Sequence, residues 1–141
     1  MILYQDSVIK LDYSPAKDVV ELVWPDMQEV YLPEIRQALN KTVEVIRLYD
    51  VKNLLIDASK TAVAISPSES QAITHDMIRD LSLTRLQRLA RIEAKDVVRE
   101  QASKAQLKEI KKKMSLTFEL QTFADKASAM QWLQVVHTRA S

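Results

Sequence analysis

The sequence predicts a single α/β domain, in which an N-terminal antiparallel β-hairpin continues into a mostly parallel sheet flanked by helices. Segments with alternating apolar residues, typical of strands, are separated by longer segments with apolar residues at three- and four-residue steps, typical of helices. One strand-like segment, residues 53–56, is apolar without alternation, which favours a central strand covered on both faces. A length of 141 residues with 47% apolar composition suits one domain, residues 1–141, with one core.

The hairpin is predicted from residues 7–13 and 18–24, which alternate apolar and polar side chains around the turn Ser14-Pro15-Ala16-Lys17. Pro25 ends the second strand because proline cannot donate to a ladder. A helix then begins at Pro33, since proline is favoured at the first helical position. Its inward side is predicted from the apolar spacing to be Ile35, Ala38, Leu39, Thr42, Ile46 and Tyr49.

Helices and strands then alternate to the end of the chain, which gives the order ββαβαβαβα. Parallel pairing through right-handed crossovers follows from this alternation. Residues 85–93 fit a helix or a strand, and we assign a strand at 87–93 because the central strand otherwise lacks a partner. The other predicted elements are the strand 53–56, a helix from Ser66 to Leu81 with Ala72, Ile73, Met77, Ile78 and Leu81 inward, a helix at 96–114, a strand at 115–122, and a closing helix at 124–137 with Ala127, Met130, Leu133, Val136 and His137 on or near its inner face.

The chain contains no glycine and no cysteine. Without glycine, neither a dinucleotide-binding fingerprint nor a phosphate-binding P-loop can be present in standard form. Turns must then use other residues, and we expect Lys52 or Asn53 to take the left-handed conformation before the central strand. Without cysteine there are no disulfides, thiolate nucleophiles or cysteine-based metal sites, and a reducing compartment is the expectation.

No catalytic pattern emerges from the remaining residue types, so we expect no enzyme, cofactor or metal site. The two histidines lack metal-ligand spacing, and no serine lies in a glycine-flanked nucleophile elbow. His75, Asp76, Arg79 and Asp80 could form an acid/base pair, but a solvated helix face with paired charges is favoured.

Basic residues between 79 and 113 could suggest nucleic acid, but acidic residues are interleaved with them. The formal net charge of the chain is +1. A solvated charged surface is therefore favoured, and no nucleic-acid partner is expected. This surface comprises Arg79, Arg85, Arg88, Arg91, Lys104, Lys108 and Lys111 to Lys113, with Asp80, Glu93, Asp96, Glu100 and Glu109 between them.

No apolar run approaches the roughly 18 residues of a membrane span, and the first residues lack the pattern of a leader. We therefore expect a cytoplasmic protein without a membrane span.

The candidate recognition site follows the central strand, because ligands and partners of α/β sheets usually bind beyond the carboxyl ends of the strands. We call residues 57–70 the crest segment. Ser66-Pro67-Ser68-Glu69 has the pattern of a capping box, in which the Ser66 hydroxyl accepts from the Glu69 amide and the Glu69 carboxylate accepts from the Ser66 amide. A plain helix start is favoured over a phosphorylation or anion site at Ser59, Thr61, Ser66 or Ser68. The candidate residues are Asp57, Ser59, Thr61, Ser66, Ser68 and Glu69.

Four stretches of the sequence resemble the SpoIIAA-like branch of the STAS superfamily: the leading hairpin, Asn53-Leu-Leu-Ile-Asp-Ala-Ser59, Arg88-Leu-Ala-Arg-Ile92, and the segment from Phe118 through Trp132-Leu133. The resemblance covers nearly the whole chain, and its members resemble anti-sigma-factor antagonists. In those antagonists the corresponding loop ends in Asp-Ser-Ser-Gly, and a kinase phosphorylates the second serine. Here Pro67 takes that position. The resemblance thus implies the fold, a recognition surface on the crest segment, and a non-enzymatic role.

Two functions are predicted on this basis. The first is a regulatory module that binds a protein partner through the crest segment. The second is a carrier or sensor of a small apolar ligand, because some relatives of the family are similar to a lipid-binding fold. A homodimer is left open, and the sequence does not identify a partner.

Overall fold

A computed structural model describes residues 1–134 and shows a mixed six-stranded sheet flanked by four helices. The predicted α/β class is confirmed. The elements are β1 (Ile2–Gln5), β2 (Lys10–Ser14), β3 (Val19–Val23), β4 (Met27–Gln28), a 3₁₀ helix (Glu29–Tyr31), α1 (Leu32–Leu48), β5 (Asn53–Asp57), β6 (Val63–Ala64), α2 (Pro67–Leu81), β7 (Arg88–Ile92), α3 (Val97–Lys113), β8 (Glu119–Phe123) and α4 (Lys126–Gln134).

The main sheet has the order β1-β2-β3-β5-β7-β8. Strands β1, β2 and β3 pair antiparallel, and β3, β5, β7 and β8 pair parallel. The hairpin, the parallel pairing and the interior position of β5 are therefore as predicted, and so is the strand assignment of residues 88–92. The sequence prediction lacked β1, the 3₁₀ helix, and the small parallel pair of β4 with β6.

The two faces of the main sheet are covered unequally. The larger core packs α1, α2 and Ile110 of α3 against one face, together with Leu22, Leu54 and Leu89 of the sheet. The other face packs Val19, Leu55, Ala90 and Ile92 against Ala129 and Leu133 of α4. The predicted closing helix extended to His137, and residues 135–137 of that prediction, including Val136, lie outside the described residues.

Several residues expected on inner helix faces are exposed. Tyr49 follows the last residue of α1 and is 53% exposed, so the apolar stripe ends at Ile46. Ala72 and Ala127 also face solvent, because the buried stripes of their helices run through Ile73 and Met77 in α2 and through Ala129 and Leu133 in α4. Alanine is small enough to sit on either side of a helix, so its position in a pattern has little predictive value.

Aspartates, rather than Lys52 or Asn53, adopt the left-handed backbone conformation. Asp18 has φ 51° and Asp50 has φ 52°. The expectation for Lys52 and Asn53 was wrong because the pairing of the sheet reaches both residues: Asn53 is the first residue of β5, and the Lys52 carbonyl accepts from the Gln87 amide at 2.8 Å. Aspartate tolerates this conformation better than most residues, which suits a chain without glycine.

Candidate functional site

The crest segment lies at the sheet edge where the parallel strands end. Val23, Asp57, Ile92 and Phe123 are the last residues of the four parallel strands, and α2, α3 and α4 begin beyond them. We call this edge the crest. Six candidate residues were predicted in the crest segment, and they divide into two groups with different tasks.

Asp57, Ser59 and Thr61 hold the crest segment in place. The Asp57 carboxylate accepts from the Ser59 amide at 2.9 Å and from the Ser59 hydroxyl at 2.6 Å. The Thr61 hydroxyl donates to the Trp24 carbonyl at 2.8 Å. These three side chains are half-buried and face neighbouring parts of the chain. Their polar groups therefore shape the loop.

The segment after β3 also fixes the crest segment, through hydrogen bonds to the backbone of Ala62. The Asp26 carboxylate accepts from the Ala62 amide at 2.8 Å, and the Met27 amide donates to the Ala62 carbonyl at 2.9 Å. This arrangement continues into the β4–β6 pair. Without glycine, the loop is ordered by polar side chains that satisfy its backbone groups.

Ser66, Ser68 and Glu69 form the start of α2. The Ser66 hydroxyl accepts from the Glu69 amide at 3.1 Å, so the predicted N-cap is confirmed. The predicted return bond differs, because the Glu69 carboxylate lies 3.3 Å from the Ser66 hydroxyl rather than accepting from the Ser66 amide. The Ser68 hydroxyl lies 3.2 Å from that of Ser66. Ser66 and Ser68 are exposed.

Exposed apolar side chains accompany the crest segment, and the sequence prediction did not include them. Val30 and Tyr31 precede α1 and are 74% and 55% exposed, and Val97 and Val98 open α3 at 69% and 77%. The Lys95 amide donates to the Ser59 carbonyl at 3.4 Å, which places the start of α3 beside the crest segment. A pair of valines directly after the N-cap Asp96, on a mostly polar helix, is the sequence signal that could have indicated Val97 and Val98.

Arg91 and Glu100 form an ion pair inside the molecule, which corrects their assignment to a solvated surface. Their side chains are 11% and 7% exposed, and the guanidinium donates to both carboxylate oxygens at 2.7 Å. The Ala94 amide donates to the same carboxylate at 2.7 Å. Burial acts to raise the pKa of Glu100, but the hydrogen bonds from Arg91 and Ala94 outweigh it, so the pKa lies below its ordinary value.

All four predicted acid/base candidates, His75, Asp76, Arg79 and Asp80, lie at the surface of α2. In α2, the Asp76 carboxylate lies 3.4 Å from Arg79 and 3.6 Å from His75, and Arg79 also contacts Asp80 at 3.1 Å. Arg36 of α1 contacts Asp76 at 3.5 Å. This is the network of solvated charges that the sequence favoured.

A cavity of about 70 Å³ lies between α2, α3 and the sheet. Its apolar lining includes Trp24, Ile56, Ala58, Met77, Ile78, Leu81, Leu89, Leu107 and Leu120. Its polar lining is Ser70, Thr74, Arg91, Arg99, Ser103 and Gln106. The sequence could not indicate it, because these residues come together only when both helices pack on the sheet.

Within residues 1–134, no group of three or more histidine, aspartate or glutamate side chains is placed to hold a metal ion. No helix in the same part of the chain has the length and apolar character to cross a membrane. Comparison with models of known protein families gives no match, and comparison with curated proteins gives no significant match.

Proposed function

We propose that this chain is a non-catalytic regulatory module of the SpoIIAA-like kind, which binds a protein partner through the crest. The observation that carries the proposal is that the crest combines an ordered loop with exposed apolar side chains. The crest segment is tied down by the bonds of Asp57, Thr61 and Asp26, whereas apolar side chains beside it remain exposed. A pre-organised surface with exposed apolar residues loses little conformational entropy on binding.

The exposed serines fit the same proposal. Ser66 and Ser68 lie at the start of α2, where a phosphate would meet the positive end of the helix dipole. Ser66 already caps the helix, so Ser68 is the better candidate for modification. A charge added there would alter the crest without removing the cap.

The test compares two edges of the molecule. Tagged protein from native cells is captured in three forms: intact, Val97→Glu/Val98→Glu at the crest, and Leu48→Glu at the opposite edge. Leu48 is 67% exposed and is the matched control. We expect recovery of the main partner to fall about tenfold or more for the crest variant, because a charge is placed in an apolar contact, and to stay unchanged for the control. Equal recovery with all three forms would remove the crest as the interface.

A second candidate function is that of a carrier or sensor of a small ligand, and the observation that favours it is the cavity between α2, α3 and the sheet. A volume of about 70 Å³ has room for only a few water molecules. This is far too small for a lipid chain. Native mass spectrometry after gentle purification tests it: a co-purifying small molecule that is lost when Ser103 is replaced by Phe supports the carrier, and its absence from the intact protein counts against it.

A further inference from the structure

The cavity between α2 and α3 is lined by a half-buried arginine, Arg99. The Nε atom of Arg99 is buried without a hydrogen-bond acceptor in the structure. The Arg99 guanidinium has no ion pair among the described residues, and the bond from Arg99 to the Asp96 carboxylate, at 3.1 Å, is made by its backbone amide. A buried donor without an acceptor is costly, and more so when it is charged.

The neighbouring carboxylates are engaged elsewhere. Both oxygens of Glu100 accept from Arg91, and one of them also accepts from the Ala94 amide. Asp96 is exposed and caps α3. Glu93 is bound by Lys104 at 3.5 Å. Arg91 and Glu100 neutralise each other, and the charges of Asp96 and Glu100 act on Arg99 without forming an ion pair with it, so the Arg99 guanidinium can still bind an anion. Burial and the charge of Arg91 lower the pKa of the Arg99 guanidinium, although the charges of Asp96 and Glu100 oppose them, and an added anion would offset the net effect by favouring the charged form.

The other residues that line the cavity indicate which further groups its ligand should carry. Met77, Leu81, Leu89 and Leu107 present apolar surface on the α2, β7 and α3 sides. The Ser70 and Ser103 side chains line the same cavity and make no hydrogen bond within the described residues, so two hydroxyls are available to a ligand there. One cation, two hydroxyls and apolar walls match one anionic group attached to a short apolar body.

We propose that the cavity binds a small organic monocarboxylate, with its carboxylate on Arg99 and its apolar part against α2 and β7. A planar guanidinium binds a planar carboxylate through two parallel hydrogen bonds. A phosphate dianion matches less well, because it carries more charge than one free guanidinium balances. A cavity with room for only a few water molecules suits a small ligand, and hexanoate, with about eight non-hydrogen atoms, represents that size.

This inference rests on the second candidate function and names the ligand class for it. It is independent of the crest interface, because Val97, Val98 and Ser68 do not line the cavity. A result that disproves the crest interface would therefore leave the ligand proposal intact, and a result that disproves ligand binding would leave the crest interface intact.

The experiment titrates the full chain with hexanoate and follows backbone amide chemical shifts. Hexanoate should bind saturably, with the largest shifts in α2, α3 and β7. Hexanamide, which has the same shape without the charge, should bind about tenfold or more weakly, because a charged hydrogen bond is lost. Acetate should also bind at least tenfold more weakly, because it leaves the apolar walls uncovered.

Two variants and one control complete the design. Arg99→Met should reduce hexanoate affinity about tenfold to a hundredfold. Arg85→Gln removes an arginine that is 78% exposed and should leave the affinity unchanged. Ser103→Phe fills the cavity but keeps Arg99, so it should abolish binding even if Arg99→Met fails to fold.

Three outcomes would overturn the proposal. If no saturable hexanoate binding occurs, the site does not bind this class of ligand. Equal binding of hexanoate and hexanamide would show that the cavity binds ligands but that a negative charge on the ligand does not contribute to the affinity. Equal losses in Arg85→Gln and Arg99→Met would show that hexanoate responds only to the overall charge of the protein.

Discussion

Helices α1 and α3 are both 17 residues long and cover the same face of the sheet, yet they are attached in different ways. α1 buries eight residues, of which only Thr42 is polar, and Thr42 bonds to the Ala38 carbonyl within the helix. α3 buries two, Ile110 and the charged Glu100. Helix α1 is held by a continuous apolar stripe, whereas α3 is held by the buried Ile110, the half-buried Leu107 and one ion pair. Because α3 lacks such a stripe, it does not fill the space between itself, α2 and the sheet, and the cavity remains there.

The largest expected effect comes from removing the cation that holds α3. Arg91→Met leaves Glu100 as a buried charge that has lost its paired cation and keeps only the Ala94 amide as a hydrogen-bond donor, which costs about 3–5 kcal/mol. Urea denaturation measures it. In Arg91→Met/Glu100→Gln the Ala94 amide keeps a neutral acceptor, so at least half of the loss should be recovered. A double variant as unstable as the single one would show that the pair holds α3 by packing rather than by charge.

The second-largest expected effect comes from making the same isoleucine-to-alanine substitution in each of the two helices and comparing the losses of stability. Ile46 of α1 and Ile110 of α3 are each 1% exposed. Replacing a buried isoleucine by alanine costs about 2–5 kcal/mol, and the cost is lower where the surroundings can collapse into the space. Ile46→Ala should lie near the upper end and Ile110→Ala near the lower end in denaturant titrations. Equal losses would mean that α3 is packed as tightly as α1.

Acid should weaken α3 before α1. The pKa of Glu100 is lowered in the folded protein from an ordinary value of 4.5, so its contribution to stability is complete above about pH 4.5. That contribution is lost as the pH falls through the lower, folded pKa. Hydrogen exchange between pH 5 and 3 should therefore show faster opening of α3 amides than of α1 amides, beyond the intrinsic change of exchange rate with pH.

Glu100→Gln should remove much of that pH dependence. The matched control is Glu109→Gln on the same helix, where Glu109 is exposed and 3.8 Å from Lys112. If both variants respond to acid like the intact protein, the ion pair does not control the opening of α3.

The smallest expected effect concerns α2, which packs against α1. Ser66→Ala removes the N-cap and should cost about 1 kcal/mol, whereas Ser66→Gly should cost only a few tenths, the reverse of ordinary helix propensity. Thermal or urea denaturation of the two variants measures the difference. Identical stabilities would show that the hydroxyl contributes nothing as a cap.

The contrast between α1 and α3 also explains what the sequence could predict. The period of α1 and the alternation in β2 and β3 are local signals, and they placed these elements within a few residues. The N-cap at Ser66 was predicted for the same reason, because it depends on residues three positions apart. The hydrogen bond between Ala62 and Asp26, the partner of Arg91 and the position of Arg99 at the cavity depend on contacts made after folding. A basic helix with scattered apolar residues therefore resembled a solvated surface, although one of its carboxylates is buried.

The two left-handed aspartates have a consequence for the unfolded chain. A glycine would adopt the conformation of Asp18 or Asp50 with less strain, but it would also widen the range of unfolded conformations. Aspartate keeps that range narrower, and its carboxylate adds bonds in the native state: Asp18 accepts from the Tyr13 hydroxyl at 3.0 Å, and Asp50 binds Lys52 at 2.9 Å. With no glycine at any position, the chain loses less backbone entropy on folding than a chain of average composition and equal length. Part of the thermodynamic advantage of this fold therefore resides in its denatured ensemble.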